Sequence, residues 1–170
     1  MATAVATNGQ SKRFALAISN LGLDPSGSTP ALFAYGSLLV DAVISTLIDR
    51  VPEYEVTTAP GYRVAHLPDK PYPGLVRDES AEAPGRIYRG LSIHEWAILD
   101  AWENPVYEVQ VVALSGEENA LAYVWTADLL KAAPIWTTAS MTSTILDDYL
   151  KRTKAWREGY EEQIGRFEQR

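Results

Sequence analysis

Apolar residues run unbroken through Ala31-Leu32-Phe33-Ala34-Tyr35 and stop at Gly36-Ser37. Such a run suits a short strand buried on both faces and ended by a turn. Beyond Ser37 the period lengthens: Val40, Val43, Ile44, Leu47, Ile48 and Val51 recur at helical spacing, and Pro52 closes the helix. Asp41 falls in the first turn, where the helix dipole favours a negative charge. Tyr35-Gly36-Ser37-Leu38 is therefore expected as a strand-to-helix turn. Two further strands are expected at 61–67 and 74–77 about a Pro71-Tyr72-Pro73 turn, and another at 86–91, bracketed by Gly85 and Gly90. A hairpin is expected from 107–114 and 121–126, across the polar stretch 115–119. Between them, Ser92-Ile93-His94-Glu95 reads as a capping box that starts a helix running to about residue 103, and Asn104-Pro105 ends it. Residues 142–170 read as one long amphipathic helix with Ile145, Tyr149, Trp156, Tyr160, Ile164 and Phe167 along its apolar stripe.

This order lacks regular βαβ alternation. It predicts an α+β fold with a mixed or antiparallel sheet, closed as a small barrel and flanked by helices. Residues 1–29 read as a partly flexible leader, rich in small residues and in Gly22, Pro25, Ser26 and Gly27, with an apolar stretch at 14–23 able to dock as a short helix. The domain proper is expected at 30–170.

Composition narrows the chemistry. The 170 residues suit a single domain with its own core. A net charge of −7 repels phosphate backbones, so nucleic acid is not an expected partner, and the excess charge serves solubility. No stretch has the length of apolar residues that a membrane span needs. The first ten residues lack the basic start and apolar middle of a signal peptide, so a cytoplasmic location is expected. The absence of cysteine excludes thiolate catalysis, disulfides and thiolate metal sites. His66 and His94 are the two histidines, too few for a histidine-rich metal centre. No cofactor or metal is expected, and the chemistry must rest on carboxylates, hydroxyls, lysines or backbone amides.

Among carboxylates, Glu103 carries the most information. Trp96, Leu99 and Glu103 are spaced three and four apart, so they share one apolar helix face that should point inward. Burial and the negative end of the helix dipole would both raise its pKa towards values useful to a general base. The same spacing also allows a frayed helix end, with Glu103 in solvent or paired with an arginine such as Arg63 or Arg86. Asp100 competes for the role and is expected at a solvated edge. In the Tyr35-Gly36-Ser37-Leu38 turn, a helix start after glycine offers backbone N–H groups to a carboxylate or oxyanion. It also reads as a plain turn with Ser37 as cap.

Taken in order, these pieces are more specific. LFAYGSL is followed by GYR, YPG, GRIYRGLS, a helix ending LDAWEN, a tyrosine and then AYVW. The succession resembles the γ-glutamylcyclotransferase-like family, and more closely its AIG2-like branch, from about Leu32 to Trp125. The tail LDDYLKRTKAWREGYEE is similar to the C-terminal helix of AIG2-like proteins. The resemblance implies a small barrel with packed helices, and conversion of a γ-glutamyl amine or peptide into 5-oxoproline and a free amine or amino acid. It places the family's catalytic glutamate at Glu103 and its substrate-binding YGSL segment at Tyr35, Gly36, Ser37 and Leu38. The glutathione-pathway members tend to read YGSN, where this chain has Leu38. Tyr35, Tyr72 and Tyr107 are candidates for the pocket wall. The implied partner is a small γ-glutamyl substrate. The alternatives are a non-catalytic small-molecule or protein-binding domain that keeps the same barrel and cavity, or another amide-cleaving reaction in that pocket.

Overall fold

The computed structural model describes residues 10–20, 29–103, 105–116, 118–127 and 133–168. Helix α1 (Gln10–Asn20) precedes strand β1 (Leu32–Ala34), a 3-10 turn (Ser37–Leu39) and helix α2 (Asp41–Ile48). Strands β2 (Tyr54–His66) and β3 (Pro73–Tyr88) follow, then helix α3 (Ile93–Trp102), strands β4 (Tyr107–Ala113) and β5 (Asn119–Trp125), and the long helix α4 (Ser143–Glu168). The fold is α+β, and its five strands form one mixed sheet in the order β2-β3-β1-β5-β4. β1 pairs antiparallel with β3 and parallel with β5. Its three residues are buried, as an uninterrupted apolar run requires of a central strand.

The expected barrel is not closed: β2 and β4 are the edges of the sheet. The turn between β4 and β5 reaches β2 through a backbone hydrogen bond, Ser115 N–H to Thr58 O at 3.0 Å, without continuing as a ladder. Pro60 within β2 has no N–H to offer a further strand, a property of edge strands.

The strands expected separately at 61–67, 74–77 and 86–91 are parts of one long hairpin. β2 begins as early as Tyr54, and β3 runs on through Pro84 and Gly85 to Tyr88. Two glycines explain the difference. Gly61, at φ +81, marks a register shift between Pro60 and Tyr62 that lets the strands bend while staying paired. Gly85 lies so close beneath β1 that a Cβ there would collide with the Ala34 carbonyl and the Phe33 ring. It marks close packing in the middle of a strand, where the sequence pattern had placed a boundary.

The helices follow their patterns more closely. The capping box at α3 forms in both directions: Glu95 N–H donates to Ser92 Oγ at 3.1 Å, and Ser92 N–H to Glu95 Oε2 at 2.7 Å. α2 stops at Ile48 because Asp49 turns left-handed at φ 60, so Val51 lies beyond the helix and is exposed. The helix expected at 14–23 occupies Gln10–Asn20, and residues 21–28 lie outside the described residues. α1 packs against α3, with Phe14 stacked on Trp96 at 4.7 Å between ring centres. On α4, Tyr149 and Thr153 are buried, whereas Ile145 is exposed and the side chain of Phe167 lies outside the described residues.

Candidate active site

A cavity of about 360 Å³ opens where β1 ends, bounded by the β2–β3 turn, the C-terminal end of α3, the start of β4 and one face of α4. Tyr35, Gly36, Ser37, Leu38, Tyr72, Glu103 and Tyr107, the residues singled out from sequence, all line it. They come from four separate stretches of chain. The sequence reading did not include Trp102, Tyr123, Tyr149, Arg152 and Trp156, which complete much of the wall. Tyr149 and Trp156 were visible only as members of an apolar helix stripe, and periodicity does not say which stripe residues face a cavity.

The loop after β1 is held firmly. Leu39 N–H donates to Gly36 O at 2.9 Å and Val40 N–H to Ser37 O at 3.0 Å, which winds the 3-10 turn. Tyr88 Oη donates to Leu38 O at 2.9 Å, and Tyr149 Oη from α4 donates to Ser37 Oγ at 3.0 Å. Among the described residues, no hydrogen bond uses the amides of Gly36, Ser37 or Leu38. Gly36 has φ −125, so a positive φ is not what requires glycine here. A Cβ would lie 2.8 Å from Pro73 Cγ, so the glycine lets the loop close against the β2–β3 turn. Two tyrosines of the wall have their hydroxyls engaged by backbone: Tyr35 donates to Tyr123 O at 2.6 Å and Tyr107 to Pro73 O at 2.5 Å. Burial, reinforced by the nearby Glu103 charge, raises the pKa of both, and that of Tyr149 to about 12, so all three stay protonated at neutral pH.

Glu103 caps α3, its N–H donating to Leu99 O at 3.1 Å, and Trp96 and Leu99 on the same face are fully buried. The residue keeps some contact with solvent, yet its carboxyl is crowded by protein. Burial raises its pKa from 4.5 to about 7; the Arg13 guanidinium opposes the rise and the Asp100 charge adds to it. A carboxyl poised there exchanges a proton readily at neutral pH.

Asp100 departs from expectation. It is 3% exposed, not at a solvated edge. Its Oδ1 accepts from Arg13 Nε at 2.7 Å and from Tyr123 Oη at 2.9 Å. Burial pushes its pKa up, while the hydrogen bond and charge of Arg13 pull it down. Residue 100 lies one turn beyond Trp96, so it shares the buried face, and the cation that makes burial tolerable comes from α1. Arg13 also donates to the carbonyls of Asp100 at 2.5 Å, Glu103 at 3.1 Å and Tyr107 at 3.1 Å. It thus clasps the chain on both sides of Glu103. No local sequence signal links residues 87 positions apart. The arginines considered from sequence are engaged elsewhere: Arg63 pairs with Asp78 at 3.5 Å and Arg86 with Asp41 at 2.7 Å.

The described residues contain no group of three or more His, Cys, Asp or Glu side chains arranged to hold a metal ion, and no helix among them is long and apolar enough to cross a membrane. The sequence pattern described as gamma-glutamyl cyclotransferase, AIG2-like, matches residues 32–141. The chain belongs to that family. AIG2-like protein D of Arabidopsis thaliana is 27% identical over 135 residues, which cover 75% of this chain and 89% of that protein. AIG2-like protein A of the same plant is 33% identical over 99 residues, 55% of this chain and 60% of the relative. A solution structure of an Arabidopsis thaliana protein superposes with a TM-score of 0.57 at 27% identity, covering 79% of this chain and 95% of the other. The AIG2-like segment contains the loop after β1, Tyr72, Asp100, Glu103 and Tyr107. Arg13 lies before it, and Tyr149, Arg152 and Trp156 lie after it.

Proposed function

We propose that this AIG2-like protein is a γ-glutamylcyclotransferase, which releases 5-oxoproline and a free amine or amino acid from a γ-glutamyl compound. One observation carries the reading: a carboxyl with a pKa near 7 shares a small cavity with a loop whose successive amides have no partner among the described residues. The substrate's α-amine attacks its own γ-carbonyl, so the reacting groups arrive already joined. Glu103, ionised, takes a proton from the amine as the new C–N bond forms. The carbonyl electrons move onto oxygen, where the Gly36, Ser37 and Leu38 amides serve as donors. Glu103, now protonated, delivers that proton to the departing nitrogen as the old C–N bond breaks and the carbonyl re-forms. One carboxyl carries the proton both ways, and the step calls for no redox cofactor or nucleotide.

Family membership and the raised pKa of Glu103 support this reading over a binding domain, which has no use for a carboxyl held near neutrality. The test is a screen of γ-glutamyl amines and dipeptides for 5-oxoproline release, with Glu103→Gln alongside. The expected result is turnover by the natural sequence and a loss of at least about a hundredfold in the variant. Binding of 5-oxoproline without turnover of any compound would identify a non-catalytic binding domain.

A further inference from the structure

The cavity wall supplied by α4 has a composition that the cyclisation itself does not explain. Tyr149, Arg152 and Trp156 sit three and four residues apart, so one helix face carries them all towards the cavity. Trp102, at the end of α3, meets that face edge-on, 5.0 Å from Trp156 and 6.0 Å from Tyr149 between ring centres. Glu103 is the acidic residue of the lining and Arg152 the basic one. Arg152 is exposed; its Nε reaches Asp148 O at 3.4 Å and its guanidinium lies 5.7 Å from the Tyr149 ring centre. Among the described residues no carboxylate pairs with it, whereas Arg157, further along α4, pairs with Glu161 at 2.8 Å.

Cyclisation consumes only the glutamyl half of the substrate, and the loop after β1 is the part of the cavity suited to that half. The leaving half must lie against the rest of the wall. We infer that this rest, the Trp102, Tyr149 and Trp156 rings with Arg152 at their side, selects a leaving group that is an aromatic amino acid with a free carboxylate. The substrate class is thus γ-glutamyl dipeptides with an aromatic second residue, in preference to γ-glutamyl amines or γ-glutamylglycine. The rings offer stacking area to an aromatic side chain. The guanidinium offers two parallel N–H groups to a carboxylate. This inference rests on the cyclotransferase reading, yet it can fail separately from it.

The experiment compares γ-glutamylphenylalanine with γ-glutamylphenethylamine, which lacks only the carboxylate, and with γ-glutamylglycine, which lacks the benzyl side chain. The expected kcat/KM for γ-glutamylphenylalanine is at least about tenfold above either comparator, a modest gain suited to an exposed charge pair and one stacked ring. Arg152→Met should bring the ratio of the dipeptide to the amine close to one, and Arg152→Lys should restore part of it. Arg152 is exposed on a helix surface, so neither substitution threatens the fold. Equal losses on dipeptide and amine in Arg152→Met would mean that Arg152 holds the glutamyl end, and would overturn the inference. Turnover of γ-glutamylglycine as good as that of the aromatic dipeptide would overturn it too, and leave the cyclotransferase reading standing. Should nothing be turned over, the same ratios are read as Kd by calorimetry. Discrimination erased by Arg152→Met then upholds the ligand class while the cyclotransferase reading fails, and no discrimination refutes both.

Discussion

Replacing Glu103 with glutamine should change stability in a way that depends on pH, separately from any loss of activity. The folded protein raises the pKa of this carboxyl from 4.5 to about 7 because burial disfavours its charge. Between those values the unfolded chain has released a proton that the folded one still holds, so stability falls as pH rises through this window and levels off above 7. The whole penalty is about 3 kcal/mol, at 1.36 kcal/mol for each factor of ten, and most of it falls between pH 5 and 8. Glutamine does not titrate and escapes the penalty. Glu103→Gln should therefore gain most of that amount on the natural protein as pH moves from 5 to 8, whatever its fixed packing cost. For a chain of this size that is a relative Tm change of roughly 5–10 °C. Urea unfolding of both proteins at four pH values across the window, followed by tryptophan fluorescence, gives the two curves. Parallel curves would show that Glu103 is not desolvated. Curves that diverge with the natural protein favoured at high pH would show a charge stabilised by a partner. Either result would refute the placement of a near-neutral carboxyl in the cavity.

Arg13→Met removes the cation that holds the Glu103 pKa down, so the acid limb of the kcat/KM–pH profile should move to higher pH; an unmoved limb would restrict Arg13 to a structural role. Gly36→Val forces a side chain against Pro73 and should abolish 5-oxoproline binding by calorimetry in protein that still shows a cooperative unfolding transition; unchanged affinity would put the ligand elsewhere. Exhaustive chelation should leave 5-oxoproline release unchanged, and a rate lost to chelator and restored by a divalent ion would overturn the metal-free mechanism.

The parts of the site legible in sequence are those whose geometry is local. The helix that carries Glu103 was legible because Trp96, Leu99 and a capping box fix its face and its end within a dozen residues, whereas the choice of Glu103 over a frayed end rested on the resemblance to the AIG2-like family. The turn after β1 was legible because an apolar run, a glycine and a change of period occur side by side, and its link to a substrate came from the resemblance. The burial of Asp100 is not legible in the local sequence, because its cation, Arg13, comes from an element far away in the chain. The open sheet is not legible for a related reason: whether β2 and β4 join is settled by how two distant edges approach. The long β2–β3 hairpin was read as pieces because glycine signals both a strand's end and a strand's close contact. Only the neighbours of Gly61 and Gly85 distinguish the two.

The clasp of Arg13 and the wall of α4 also bear on when the site can exist during synthesis. Arg13 is among the first described residues to be made, and it must wait for residues 100–107 before its partners appear. The cavity gains Tyr149, Arg152 and Trp156 later still, after every strand of the sheet has been translated. A nascent chain stalled before α4 therefore presents the loop after β1 and Glu103 without the wall that encloses them. Contacts spanning so much of the chain form slowly, because long loops must close before they are rewarded. Ribosome-bound chains of increasing length should thus acquire ligand binding in one late step, well after the β2–β3 hairpin has become resistant to protease.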